Sequence, residues 1–267
     1  MPAEFVENRR RAALEAYEAE PVPTWRRSGF WTTSLRGLDL DALEPKRYEP
    51  VEELPQIVRD DLGDEEHAAL IVQQGASVIY SDVADERITV MPLERAVEEV
   101  PELVEPYFGK RLPHDEAKFA AGTAAFWTGG VFVHVPKNVQ IEKPIQVVWL
   151  IDEPGTAQWA HTLAVVGNHA ECKIREYFLA PDFEGQALHS GAFELYALPG
   201  AQVDLAHYQD WGRGEVYDLS TRRVEIGRVE GEVDHRGLAA RLCSYHLSGG
   251  CHDPLLLPRL VSVLLRG

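Results

Sequence analysis

Between Gly129 and Ile226 the chain offers strand after strand and no helix. Val131-Phe132-Val133-His134-Val135 is followed by Ile145 to Ile151, Thr162 to Val166, Cys172 to Phe178, Ala192 to Leu198, Gln202 to Tyr208 and Leu219 to Ile226. Gly, Pro, Asn or Asp punctuates most of the gaps, as turns between strands require. Several segments alternate, as in Phe193-Glu194-Leu195-Tyr196, which places one face in water. So many short strands fit a sandwich, a barrel or a solenoid. The strand starts are unevenly spaced and show no strict repeat. A solenoid tolerates unequal loops, so all three architectures stay open on pattern alone.

The segment before this run is mixed. Residues 4–19 read as a charged amphipathic helix with Phe5, Ala12, Ala13 and Tyr17 as its apolar stripe, ended by Pro21 and Pro23. An irregular aromatic stretch, Trp25 to Thr33, follows, then acidic loops with short helices over 35–67. Strands are expected at Leu70-Ile71-Val72, Val78-Ile79-Tyr80 and Ile88 to Met91. One helix is expected from Pro92 to about Tyr107 and another from about Pro113 to Phe126. A helical region at this end suits a solenoid, whose first coil needs a cap against further pairing.

The 267 residues carry 43 acidic and 26 basic side chains, a formal net charge of -17. Such a surface repels phosphate backbones and anionic lipid, so neither nucleic acid nor a membrane is an expected partner. Cys172, Cys243 and Cys251 are too few for a disulfide framework and fit a reducing compartment. The polar start, Met1 to Asn8, is no signal peptide, and no apolar run reaches the roughly 20 residues of a membrane span. The expected location is the cytoplasm.

Catalytic motifs are absent. No P-loop, no Gly-x-Gly-x-x-Gly after a strand, no Gly-x-Ser-x-Gly elbow and no Cys-x-x-Cys pair occurs, so the chain is not expected to grip ATP itself. His134, His161, His169, His189 and His207 sit in or beside the strand region; strands of one sheet could bring two or three to a metal, although single surface histidines are commoner. Cys243-x-x-His246 followed by Cys251-His252 has ligand types suited to zinc or iron, but neighbours on a strand point oppositely. No residue is assigned to a catalytic, cofactor-binding or metal site. A metal-dependent or carbohydrate-active β-fold enzyme, with acids drawn from different coils, stays open as the alternative function.

The segment Lys118 to Val139, with Gly129-Gly130-Val131-Phe132-Val133-His134-Val135-Pro136-Lys137 at its centre, resembles the SufB/SufD family of iron–sulfur cluster assembly proteins. Lys143-Pro144-Ile145, Leu188-His189, Pro199-Gly200-Ala201 and Tyr208-Gln209-Asp210-Trp211 follow in the family's order. The likeness runs from about Trp25 to about Arg228. Where the SufB branch carries Glu-Gly-Cys-Thr-Ala-Pro, this chain has Glu176-Tyr177-Phe178-Leu179-Ala180-Pro181. Phe178 replaces the cysteine, and Phe30 to Leu35 also looks like the SufD type.

The resemblance implies a mainly β fold, a right-handed parallel β-helix with an N-terminal helical region. It implies a non-catalytic scaffold in a complex with a SufC-like ABC ATPase and a SufB-like paralogue, with the docking regions for both expected in the part of the family's length that is missing here. An iron–sulfur cluster would be carried transiently by that complex and not bound stably by this chain alone. The expected organisation is an N-terminal helical and mixed region at 1–112, an incomplete β-helix at 113–230 and a divergent Leu-rich tail at 231–267. The family's C-terminal helical domain is expected after Arg228. From Arg236 onward the chain instead has no Lys or Glu, which reads as a truncation after a shifted reading frame. An uncapped last coil is expected to favour a homodimer.

Overall fold

A computed structural model describes residues 3–23, 35, 37–227, 246–247 and 261–266. The expected strands form a two-sheet parallel solenoid of about three turns. One sheet is built on β1 (Ala69–Gln74), β5 (Ile145–Leu150), β7 (Glu171–Leu179) and β9 (Gln202–Asp210). The other is built on β4 (Val131–Val135), β6 (Ala157–Val166), β8 (Gln186–Ala197) and the pair β10 (Glu215–Asp218) and β11 (Thr221–Ile226). Every pairing among these strands is parallel. The chain alternates between the sheets, so each circuit adds one strand to both.

Both ends reverse direction. β2 (Ser77–Val83) pairs antiparallel with β1, and β3 (Thr89–Pro92) with β4. At the far end β12 (His246–Leu247) pairs antiparallel with β10, and β13 (Val261–Arg266) with β9. The sheets thus reach back into the segment before residue 113 through β1, β2 and β3.

A repeat hidden in the sequence emerges in the register. Thr162 sits beside Val131 and Phe193 beside Thr162, each 31 residues on, and Leu205 lies 31 beyond Ile174. Ile174 lies 29 beyond Ile145, and Arg222 lies 29 beyond Phe193. Identical faces therefore stack. Val131, Val133, Ile145, Val147, Ala164, Ile174, Leu195 and Leu205 fill the space between the sheets. Their β-branched or compact side chains suit a pleated, fully buried surface.

Helices cover the outer faces. α1 (Glu4–Ala19) begins and ends as expected, with Val6 and Ala13 buried and Phe5, Ala12 and Tyr17 half-buried. The helix expected from Pro92 to Tyr107 is two helices, α3 (Leu93–Glu99) and α4 (Pro101–Val104). Pro101 pushes Val100 out of the helical region, to φ -135° and ψ 50°. The next helix, α5, starts at Lys118 and ends at Phe126, later than expected. These helices pack on β6 and β8 through clusters that include Trp127, Phe132, Leu163 and Trp159. α2 (Gln56–Leu62) covers the opposite sheet through Val58, Leu62, Leu70 and Val148.

The Gly129-Gly130 step leads from α5 into β4. Both residues have positive φ, 62° and 68°, and a Cβ on Gly130 would lie 2.7 Å from the His161 carbonyl oxygen. Only glycine fits there at no steric cost.

Candidate functional site

The lumen between the sheets has two unlike sides. One is apolar, built by Ala69, Ile145, Ile174, Cys172, Val203, Ala164, Leu195 and Val224. The other carries buried polar side chains in columns. Gln158, His189 and Asp218 stack on successive strands of one sheet, and Glu176 and His207 on the other. All five are buried. Unpaired, such groups would cost several kcal/mol, and their partners are therefore informative.

Glu176 is the most enclosed acid of the lumen. Its Oε1 accepts from the Thr162 hydroxyl at 2.8 Å and the Trp149 indole N–H at 3.2 Å, while its Oε2 lies 2.9 Å from Nδ1 of His207. Burial works to raise its pKa, but the His207 contact, the charge of Arg222 and the Thr162 bond together hold it below the ordinary carboxylate range. His207 is pushed down, because burial outweighs the attraction of Glu176. The pair is thus an ionised carboxylate facing a neutral imidazole. Asp218 accepts from Gln209 at 3.0 Å and from the Ser220 hydroxyl.

Phe178 stands in the middle. Its ring centroid lies 5.2 Å from His189, 6.2 Å from His207 and 5.8 Å from Trp211, and the Arg222 guanidinium lies 5.2 Å from it. This is a cation held over an aromatic face away from bulk solvent. A void with room for about one water molecule opens beside Phe178, His189, Ser220 and Arg222.

Of the five histidines in the strand region, only His189 and His207 share the lumen. His161 lies on the outer face, stacked on Phe108 at 4.7 Å and 3.6 Å from Glu194. His134 is half-buried on that face beside Phe132, and His169 holds a turn at φ 56°. Among the described residues no three His, Cys, Asp or Glu groups converge to hold a metal ion. Cys243, Cys251 and His252 lie outside the described residues, and of His246 only the backbone is described. Lys118 is structural: it donates to the carbonyls of Tyr17 and Glu20 and sits 3.9 Å from the Tyr17 ring centroid, closing the end of α1.

Sequence reasoning passed over Gln158, Thr162, Glu176, Asp218 and Arg222. Their signal is the separation of Gln158, His189 and Asp218 by one circuit each, which is readable only once the register is known.

Residues 71–147 match the model of the SufBD protein N-terminal region, and residues 149–238 that of the SUF system FeS cluster assembly SufBD core domain. An iron–sulfur cluster assembly SufBD family protein of Staphylococcus saprophyticus is 29% identical over 248 residues, covering 85% of this chain and 52% of that protein. One of Staphylococcus epidermidis is 28% identical over 242 residues, covering 83% and 50%. One of Staphylococcus aureus is 30% identical over 170 residues, covering 61% and 36%. The chain spans about half the length of the first two relatives. Two adjoining domain matches, relatives aligned along most of the chain and a parallel β-solenoid behind a helical region agree: this chain belongs to the SufB/SufD family of iron–sulfur cluster assembly proteins.

Proposed function

We propose that the chain acts as a non-catalytic, SufD-type scaffold subunit of a SufBCD-type iron–sulfur cluster assembly complex in the cytoplasm. The observation that carries this reading is Phe178. Its ring fills the lumen at the position where the SufB branch has a thiol. Cys172, the one cysteine whose surroundings are described, lies on the apolar side with its thiol pushed up to about 12 by burial and by Glu171. Such a thiol supplies almost no thiolate for sulfur transfer or metal ligation at neutral pH. Sulfur and iron chemistry then falls to a SufB-like paralogue and the energy to a SufC-like ABC ATPase. The cluster passes as cargo of the assembly.

The last coil supports a docking role. β11 pairs with β8 along one edge and with no other strand among the described residues. An open strand edge invites a strand from another chain, here the paralogue or a second copy. The test is reconstitution of the tagged chain, extended to the full length of its relatives, with purified SufB-like and SufC-like proteins. Co-elution of all three, with ATP turnover belonging to the SufC-like protein alone, is the expected result. Separate elution of the chain at micromolar concentrations sinks the scaffold reading.

A further inference from the structure

The hydrogen bonds around His189 fix which of its ring nitrogens carries the proton. Gln73 is the first amide of the series. Its Oε1 accepts the Gly130 backbone N–H at 2.8 Å, and its Nε2 donates to the carbonyls of Gly75 and Thr128. Both ends of that amide are therefore assigned. Gln158 comes next. Its Nε2 lies 3.2 Å from the carbonyl oxygens of both Gly75 and Leu150. Two carbonyls can only accept, so this end of the Gln158 amide is the donor and the other is the oxygen. That oxygen sits 2.7 Å from Nδ1 of His189. Nδ1 must bear a proton to make the bond, and a neutral ring then has its lone pair on Nε2.

The ring is neutral. Burial lowers its pKa to about 4, against the opposing charges of Asp218 and Glu176 and with the help of Arg222. Asp218 and Arg222 come from neighbouring strands of its own sheet and Glu176 from the sheet opposite, and Phe178 and Trp211 are its aromatic walls. Nε2 has no hydrogen-bond partner among the described residues. A Cβ placed on Gly191 would come within 2.8 Å of both Nε2 and the Ser220 hydroxyl oxygen. The missing Cβ at residue 191 thus lets those two polar atoms close in on the backbone, and His189, Gly191 and Ser220 together line the small lumen void.

We propose that this void is a built site for one small hydrogen-bond donor, a water molecule in the resting protein, received by the bare Nε2 of His189. Gln158 is a positioning residue: it touches no guest and acts by holding the proton on Nδ1. Gly191 is the residue whose bare backbone lets His189 and Ser220 draw together at the wall of the void. The site belongs to the lumen of this chain alone and does not rest on the scaffold reading.

The experiment uses the full chain, labelled with nitrogen-15 at histidine. Long-range proton–nitrogen correlation at pH 7 is expected to show His189 with a protonated Nδ1 and an aprotic Nε2. High-resolution crystallography is expected to show a water within hydrogen-bond distance of Nε2. Gly191→Ala presses a methyl group against Nε2 and blocks it, so that water is lost while the Nδ1–H tautomer stays. Gln158→Leu removes the acceptor, so the single tautomer is lost while the water space remains. A wild-type His189 carrying its proton on Nε2, or doubly protonated at pH 7, overturns the proposal. A dry Nε2 in the wild-type crystal overturns it equally. The wild-type spectrum needs no variant to fold, and it decides the tautomer by itself.

Discussion

The two sides of the lumen share one backbone and one register yet are held together by different physics. On the apolar side, Ile145, Ile174 and Leu205 stack on successive strands, and each gains from leaving water whatever its neighbours do. On the polar side, Glu176, Thr162, Trp149 and His207 depend on one another. A group there is tolerable only while its partners are in place. The apolar side should therefore yield gradually to substitution, and the polar side abruptly. A buried polar network is no reason to expect extra stability over an apolar core; what it adds is intolerance of misplacement.

The sharpest way to break this contrast is Glu176→Ala. It leaves the Trp149 N–H, the Thr162 hydroxyl and the His207 ring facing a void, and should cost about 1–3 kcal/mol for each buried group left unsatisfied, in urea unfolding followed by circular dichroism. A loss no larger than that of a single methyl would show that water reaches the carboxylate.

The next effect is a pH dependence that the apolar side cannot have. His189 stays neutral in the folded chain down to about pH 4, while in the unfolded chain it binds a proton below about pH 6.5. The unfolded state thus holds more protons across that interval. The contribution is fully present above about pH 6.5 and is lost on acidification at about 1.4 kcal/mol per pH unit. Between pH 7 and pH 5 the wild type should lose about 2 kcal/mol more than His189→Gln. Parallel losses in the two proteins would refute the buried, neutral assignment.

The smallest effect belongs to the apolar side. Ile174→Val removes one methylene from a column of hydrocarbon and should cost about 0.5–1.5 kcal/mol, with no dependence on pH between 5 and 7. A pH-dependent loss at this position would mean that the two sides are coupled through the sheet.

The same contrast explains what the sequence made legible. Val131 to Val135, Ile145 to Leu150 and the Gln202 start are plain in the pattern, because hydrophobic residues mark them. β6 and β8 read as starting at Thr162 and Ala192, yet they begin at Ala157 and Gln186. The missed portions hold Gln158, His161, His189 and Ser190, which look like turn residues and are buried strand residues. Reading those strands as late starters made the spacing uneven and hid the repeat of 29 to 31 residues. The polar lumen thus concealed both itself and the solenoid around it. α1 was legible to the residue because its charged face and flanking prolines are local signals. The break at Val100 was legible in principle, since Pro101 announces it.

The reversed strands at the two ends have a consequence for how the length of this molecule can vary. Coils between β1 and β9 follow one another in the same direction, so the solenoid has a natural unit of growth. Repeating one whole circuit, the 31 residues from Thr162 to the residue before Phe193, would return every side chain to the face it left. Adding a single residue inside β6 would exchange inside for outside along the rest of that strand. Viable changes in length are therefore quantised, and the antiparallel strands β2 and β3 act as a fixed origin from which the circuits are counted.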